Sequence, residues 1–124
     1  MNIFNNFQVN PKYVNQLSNI IKMAVNPEFL KTGYNDTYKP HIIIYLTTTS
    51  LPDSDVIYQS KIVKKSDKFR IITIAYQPTN NIIALENMSN CFFKALTEND
   101  LSALSSAIVS QIITASSTDI EYQC

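Results

Sequence analysis

The sequence has a single glycine, Gly33, and a single histidine, His41, among 124 residues. The phosphate-binding loops of P-loop and dinucleotide-binding folds need glycine wherever the backbone approaches a phosphate, so one glycine excludes both folds. Neither an HExxH motif nor a CxxC pair occurs, and one histidine leaves too few ligands for a catalytic or structural zinc site. The sequence therefore predicts no cofactor and no metal.

Charged residues are also scarce. Lysine and arginine number 10, as do aspartate and glutamate, so the net charge is zero and only 16% of the residues are charged. Without a basic excess, nucleic acid is not expected as the main partner, and any DNA contact is expected to be incidental. A neutral exterior suits contact with other proteins better than a free monomer. An AT-rich genome, whose codons favour Asn and Ile, is an alternative explanation of this composition.

The sequence also lacks the signals by which a leader peptide, a membrane span or a cysteine framework would be expected. No run approaches the roughly 18 apolar residues of a membrane-spanning helix. The start "MNIFNNFQVN" lacks the basic residues and apolar core of a secretory leader. The two cysteines, Cys91 and Cys124, do not make a disulfide framework. These absences predict a soluble protein of a reducing cytoplasm, without a membrane partner.

The residues that are present fit one domain. A chain of 124 residues, 45% of them hydrophobic, can bury a core without staples. We expect a single α+β domain over 1–124, with 1–9 and 117–124 as loose termini. Asn10-Pro11 is a good helix start. Apolar residues then recur at helical spacing: Val14, Leu17, Ile20, Ile21 and Ala24.

Three strands are predicted in the middle of the chain. The stretch "KPHIIIYLTTTS", residues 39–50, is β-branched and aromatic without alternation, which predicts a strand covered on both faces, with His41 at its start. We interpret "VIYQSKIVKK" and "KFRIITIAYQ" as two further strands that meet at a turn near Ser66-Asp67. Consecutive strands with short links predict an antiparallel meander of three to four strands.

One or two helices are expected to follow and to pack on one face of this sheet. "NNIIALENMSNCFFKAL" has apolar residues at helical spacing, with Cys91 beside the stripe. A second helix is expected to open at Thr97, because Asp100 follows it at the spacing of a capping box. The β-branched stretch "AIVSQIIT" leaves a strand open as the alternative for 101–115. "STDIEYQC" is interpreted as a short edge strand or a loose tail.

No arrangement of side chains in the sequence predicts catalysis. A nucleophilic thiolate needs a nearby base, but Cys91 on an apolar helix fits a small hydrophobe, and His41 at a strand entrance fits a surface or hydrogen-bonded residue. Asp53 and Asp55 lie in "LPDSD", where aspartate caps turns rather than acting as a raised-pKa acid. We therefore expect no catalytic residues.

A basic run is the remaining candidate site. It straddles the predicted turn at Ser66-Asp67, which would place its side chains in solvent at the tip of a hairpin. This tip is predicted to face either a protein interface or a DNA-containing lumen. The run consists of Lys61, Lys64, Lys65, Lys68 and Arg70.

The order of these elements over residues 11–97 resembles the tail terminator and neck proteins of tailed bacteriophages. The resemblance is carried by a link with Gly33-Tyr34, the Pro-led strand Pro40–Tyr45, a hairpin, and the strand "FRIITIAYQ" followed at once by a helix ending in "FFKAL". It implies a ring, commonly a hexamer, that caps the tail tube and faces the head connector. It also implies a virion protein assembled in the host cytoplasm, with no catalysis and no cofactor.

The sequence thus predicts a non-enzymatic structural or assembly protein, with a virion neck component as its sharpest version. Its expected partners are copies of itself and other virion or assembly proteins. The alternative is a small dimeric adaptor or secretion-chaperone-like domain, which also combines helices with an antiparallel sheet. An enzyme without a recognisable motif is the third class.

Overall fold

A computed structural model describes residues 21–22, 25–26, 40–48, 54–65, 68–79, 82–117 and 121–124. Ile21 and Lys22 are helical, and the rest of the predicted N-terminal helix lies outside these residues, as do the Gly33 turn and Asp53. Strands and helices alternate along the described chain. Their bounds are β1 His41–Thr47, α1 Ser54–Lys65, β2 Phe69–Tyr76, α2 Ile83–Met88, β3 Cys91–Ala95 and α3 Glu98–Ser117.

The three strands form a parallel sheet in the order β1-β2-β3, so the predicted antiparallel meander is wrong. Ile43 pairs with Ile71 in β2, and Ile72 pairs with Cys91 in β3. Neighbouring parallel strands need a crossover that returns the chain to the same end of the sheet. The helices α1 and α2 provide these two crossovers, whereas the meander assumed direct hairpins.

The first crossover, α1, occupies the stretch that was predicted to be the second strand. Its β-branched residues favoured a strand, but the positions that the fold buries are Val56, Ser60 and Val63, which recur at helical spacing. The first turn carries Asp55 and the last turn carries Lys64 and Lys65, the charge order that stabilises a helix dipole. Burial of one helical face therefore outweighs strand propensity here.

The predicted helix ending in "FFKAL" is right only for residues 83–88. The helix α2 stops at Met88, and Cys91–Ala95 form the strand β3. Ser89 is in extended conformation, and its buried hydroxyl is hydrogen-bonded to the Leu85 carbonyl oxygen at 2.6 Å and to the Thr73 hydroxyl at 2.5 Å. These bonds fix the change from helix to strand against the middle of β2.

The helix predicted at Thr97 is confirmed, and the alternative strand for 101–115 is wrong. The Asp100 amide donates to the Thr97 hydroxyl at 3.1 Å, and the Asp100 carboxylate accepts from the Thr97 amide at 3.1 Å, which is a reciprocal capping box. The helix runs for 20 residues, from Glu98 to Ser117. Its stripe of Leu101, Leu104, Ile108 and Ile112 is half-buried.

Helices cover both faces of the sheet, not one as predicted. Successive side chains of β2 point to opposite faces: Ile71 packs in a core with α1 and α2, and Ile72 packs in a second core with α3 and residue Tyr122. Seven of the eight β2 residues are buried, as expected for a parallel strand between two helical layers. The described elements therefore form an α/β/α arrangement around β2.

Candidate functional site

The basic run does not form a hairpin tip. Lys61, Lys64 and Lys65 lie on α1, and Lys68 lies between α1 and β2. Arg70 is only 4% exposed inside β2, and its guanidinium donates to the Phe69 carbonyl oxygen at 3.1 Å. The five side chains therefore do not share one surface. Three of them are exposed, namely Lys61, Lys65 and Lys68.

Lys64 has a structural role within this run. Its ammonium group donates to the Asn87 carbonyl oxygen at 3.1 Å, which ties α1 to the end of α2. Burial lowers the pKa of Lys64, the charge of Glu121 opposes this effect, and the charge of Lys61 adds to it. Lys64 thus interacts with α2 and with the C-terminal segment 121–124.

The candidate pair His41 and Cys91 is not brought together. His41 begins β1, as predicted, and its ring lies 5.6 Å from the ring of Phe69. Cys91 begins β3, so the strand β2 separates the two residues. Cys91 is also bonded to Cys124 in a disulfide, so it offers no thiolate. The prediction of Cys91 as a small hydrophobe on a helix is wrong.

The disulfide fastens the C-terminal segment 121–124 at the β3 side of the sheet. The Asn90 side chain accepts from the Ile71 amide at 2.7 Å and donates to the Tyr122 carbonyl oxygen at 3.0 Å. The Cys124 amide donates to the Asn90 carbonyl oxygen at 3.2 Å. Tyr122 is 4% exposed. The predictions of a loose tail and of an edge strand are therefore both wrong for 121–124, which is irregular but anchored.

A cavity of about 240 Å³ lies beside this disulfide. Two of its polar side chains, those of Ser89 and Asn90, are buried and already hydrogen-bonded within the chain. Its other polar side chains, those of Glu86 and Gln123, are exposed. The residues that line it are Glu86, Ser89, Asn90, Cys91, Phe92, Gln123 and Cys124.

A second cavity, of about 340 Å³, lies where β1 and β2 end and α3 begins. Ligands of open α/β sheets bind beyond the carboxyl ends of the strands, so this is the favoured place for a site. The cavity combines two hydroxyls, one phenol and two apolar side chains. The residues that line it are Leu46, Thr47, Thr48, Tyr76 and Leu101.

Backbone strain occurs next to this cavity. Gln77, which follows Tyr76, has a φ of 49°, in the left-handed region that few non-glycine residues adopt. Its amide donates to the Ala95 carbonyl oxygen at 2.8 Å, and its side chain donates to the Leu96 carbonyl oxygen at 3.1 Å. These bonds fix the carboxyl ends of β2 and β3 to each other, which makes this side of the cavity rigid.

The strand β1 has an exposed apolar surface that continues from the cavity. Ile44 is 50% exposed and Leu46 is 63% exposed, although both lie in a parallel strand. They share a sheet face with Ile42, which packs in the core under α3. The prediction that this strand is covered on both faces is therefore wrong for its carboxyl half. We call Ile44, Leu46 and the adjoining cavity the β1 surface.

The outer side of β1 also carries hydrogen-bonding groups. The His41 amide donates to the Lys68 carbonyl oxygen at 2.6 Å, which fixes the odd-numbered residues as those bonded to β2. The even-numbered residues then direct their backbone groups away from β2. Among the described residues, β2 is the only strand beside β1. The sequence signal of this surface is the absence of charge over 42–48.

Other kinds of site have little support in the described part of the chain. Among these residues, no group of three or more His, Cys, Asp and Glu side chains is placed to hold a metal ion. None of the helices described is both long and apolar enough to cross a bilayer.

Comparison with known proteins gives one similarity. The chain resembles Protein irg-7 of Caenorhabditis elegans, with 27% identity over 94 residues. The alignment covers 74% of this chain and 4% of that protein, so the chain spans only a small part of its curated relative. No family model matches the chain, and no solved structure matches it. These comparisons contain no similarity to tail terminator proteins.

Proposed function

We propose that this chain is a non-enzymatic protein-binding domain that takes part in assembly, and that its β1 surface binds an extended apolar segment of polypeptide. The observation that carries the proposal is Leu46, which is 63% exposed on the outermost described strand and also lines the cavity of about 340 Å³. When a partner covers an apolar side chain of this kind, the free energy of binding becomes more favourable by about 25 cal/mol per Å² of apolar area buried.

The chemistry of the cavity supports binding rather than catalysis. Among the described residues, its lining consists of the hydroxyls of Thr47 and Thr48, the phenol of Tyr76 and two leucines, with no carboxylate, imidazole or ammonium group. General acid–base catalysis and nucleophile activation depend on such titratable groups near the reacting atoms. Hydroxyls next to apolar surface are instead suited to orienting a bound chain.

The backbone of β1 supports an extended partner. A segment that adds to the edge of a sheet gains affinity from main-chain hydrogen bonds and specificity from pockets that accept alternate side chains. The β1 surface offers both, because even-numbered residues direct their backbone groups outward and the cavity lies at the end of the same strand. A partner strand along β1 could therefore place one side chain in the cavity.

The disulfide supports an oxidising compartment as the place where the chain functions. Disulfides persist in secreted and extracytoplasmic proteins and are rare in a reducing cytoplasm. The bond between Cys91 and Cys124 therefore favours an environment other than the cytoplasm expected from the sequence.

The narrower reading as a ring-forming virion neck protein has less support than the broader class. The resemblance depended on a hairpin before "FRIITIAYQ" and a helix ending in "FFKAL", and these stretches are the helix α1 and the strand β3. The neutral composition still fits assembly with other proteins. We accordingly propose protein binding, and ring formation stays an expectation of the resemblance alone.

The proposal is tested by selecting a displayed library of random heptapeptides against the chain, at about 0.1 µM of chain so that weak self-association is negligible. We expect apolar, β-branched peptides to be enriched. The same peptides should bind the variant Leu46→Lys at least about tenfold more weakly, because the lysine places a charge where an apolar side chain must be buried.

The matched control is Val109→Lys, since Val109 is 55% exposed but lies on α3. This variant should bind the selected peptides as the wild-type chain does. If no selected peptide binds the wild-type chain more tightly than it binds Leu46→Lys, the β1 surface is not the binding site.

A further inference from the structure

We infer that the β1 surface pairs with the β1 strand of a second copy of this chain, antiparallel and across a two-fold axis at Ile44. The inference rests on the proposed function and names the partner of the same surface. It is carried by the backbone geometry of β1, by the exposed side chains of its carboxyl half, and by the lack of charge along it.

The backbone of β1 suits this pairing. The bond from the His41 amide to the Lys68 carbonyl oxygen shows that the odd-numbered residues of β1 are hydrogen-bonded to β2. The backbone N–H and C=O groups of Ile42, Ile44 and Leu46 therefore point away from β2. In an antiparallel pair, residues that face each other with both groups exchange two hydrogen bonds. With the axis at Ile44, three such residue pairs form, which gives about six hydrogen bonds across the interface.

The side chains match in the same register. Ile44 then lies opposite Ile44 of the second copy, and Ile42 lies opposite Leu46 of the second copy. Residues directly opposite each other in an antiparallel pair have Cβ atoms about 4.5–5.5 Å apart, so these apolar side chains contact each other. The contact covers Ile44, 50% exposed, and Leu46, 63% exposed, in both copies at once.

Charge along β1 is compatible with a surface that meets itself. A two-fold interface places each residue near the same residue of the other copy, so any charge close to the axis would face a like charge. The residues at 42–48 include no Asp, Glu, Lys or Arg. Natural edge strands are usually protected against such pairing by lysine, proline or a bulge, and the register of β1 with β2 runs without interruption from His41 to Thr47. Within His41–Thr47, β1 therefore has none of these protections.

The paired structure has ordinary dimensions. Two copies of the β1-β2-β3 sheet would join into one sheet of six strands, which lies within the usual range of two to ten. The helix α3 already covers part of the same sheet face, so the joined sheet keeps its helical layers. Only the central pair of strands is antiparallel.

The test measures the molar mass of the wild-type chain and its variants by light scattering on a sizing column, from about 1 µM to about 100 µM. We expect the wild-type chain to approach the mass of a dimer. The variant Ile44→Lys should be a monomer, because two lysines would lie directly opposite each other at the axis, with Cβ atoms about 5 Å apart, and like charges there repel. Val109→Lys, the matched control on α3, should remain a dimer.

A charge-exchange experiment tests the axis itself. Ile44→Asp should also be monomeric, but a mixture of Ile44→Asp with Ile44→Lys should recover the dimer, since opposite charges then face each other across the axis. Circular dichroism checks that each variant is folded, which is expected because Ile44 is half exposed. Recovery by mixing depends on position 44 meeting itself and is not expected if the variants merely perturb folding.

The other outcomes overturn the inference and separate it from the proposed function. If the wild-type chain is monomeric at about 100 µM but binds the selected heptapeptides, the proposed binding function stands and the inference of a second copy as partner is wrong. A dimer that survives Ile44→Lys uses another surface. If Ile44→Asp and Ile44→Lys stay monomeric when they are mixed, a two-fold axis at Ile44 is excluded. This result is expected if β1 pairs with a different polypeptide.

Discussion

The two outer strands of the described sheet differ in how far other parts of the chain cover them. On the β3 side, a disulfide, the Asn90 side chain and the buried Tyr122 hold the segment 121–124 in place. On the β1 side, Ile44 and Leu46 remain half or more exposed. The difference shows that one side is stabilised within the chain, whereas the other keeps apolar surface and backbone groups that a partner can use.

The same contrast holds for polar chemistry. Near β3 the buried polar groups are satisfied internally, since Asn90 uses both its side-chain oxygen and its side-chain nitrogen. A network of this kind fixes one structure and contributes stability. Near β1 the cavity lining combines hydroxyls with leucine side chains, and the strand carries no formal charge over 42–48. Mutations on the two sides should therefore differ in what they change.

The largest effect is expected from removing the disulfide. The double variant Cys91→Ala/Cys124→Ala should lower the free energy of unfolding by about 3 to 4 kcal/mol, because the bond closes a loop with a sequence separation of 33 residues. Urea unfolding followed by circular dichroism measures this difference. The control is the wild-type chain in a dithiol reductant, which should lose a similar amount. A loss below about 1 kcal/mol would show that segment 121–124 is held by its other contacts alone.

The next largest effect is expected for Asn90→Ala. This change leaves the buried Ile71 amide without its acceptor and the Tyr122 carbonyl oxygen without its donor. The free energy of unfolding should fall by about 2 to 3 kcal/mol. This is in the lower part of the range for two unsatisfied buried groups, because the segment 121–124 can move and expose the Tyr122 carbonyl oxygen to water.

The matched control for this change is Asn87→Ala, because Asn87 is an exposed asparagine three positions earlier. It should shift the free energy of unfolding by less than about 0.5 kcal/mol. Equal costs at positions 87 and 90 would contradict the structural role of Asn90.

A smaller effect, with a pH dependence, is expected for Tyr122→Phe. The Tyr122 phenol donates to the Gln111 side-chain oxygen at 2.7 Å, so its loss should cost about 1 kcal/mol near neutral pH. Burial raises the pKa of Tyr122. Its stabilisation is therefore complete below the unfolded pKa of about 10 and is lost as pH rises through the folded value.

The difference between wild type and Tyr122→Phe should accordingly shrink above about pH 10. Lys64, whose pKa is lowered, contributes a change of the opposite sign in both proteins and cancels in this difference. The control is Tyr58→Phe, since the Tyr58 side chain is 65% exposed. A constant difference up to the alkaline limit would contradict burial of the Tyr122 phenol.

The smallest effect on stability is expected at the β1 surface. Leu46→Ala should change the free energy of unfolding by less than about 0.5 kcal/mol when measured at chain concentrations below self-association. The same variant should weaken peptide binding or dimer formation, so its effects on stability and on association should separate. A cost above about 2 kcal/mol would mean that Leu46 is covered within the isolated chain.

The elements that could be predicted were those with a local physical cause. The capping box of Thr97 and Asp100 defined the start of α3, and the β-branched stretch within "KFRIITIAYQ" placed the strand β2. The helix α1 was mistaken for a strand because its β-branched residues have strand propensity. The spacing of Val56, Ser60 and Val63 was a weak signal, since one of its buried positions is a serine.

The candidate site was harder to predict, because its residues come together only in the fold. The basic run was predicted as one surface, yet Arg70 is buried in β2 while Lys61 and Lys65 lie on the exposed side of α1. The disulfide joins residues 33 positions apart, and two cysteines alone did not indicate that β3 and the chain end meet. Leu46 was predicted to be buried, because an apolar run does not show which of its residues lacks a neighbour.

The sequence by itself determined that His41 opens an apolar strand, that residues 69–76 form a strand, and that no glycine-rich phosphate loop is present. Those properties follow from composition and from contacts between near neighbours. The tertiary structure decided that the strands run parallel, that Cys91 meets Cys124, and that β1 keeps an exposed apolar surface. Each of these depends on which distant segments pack together, and that choice is made by the burial of the whole core rather than by local propensity.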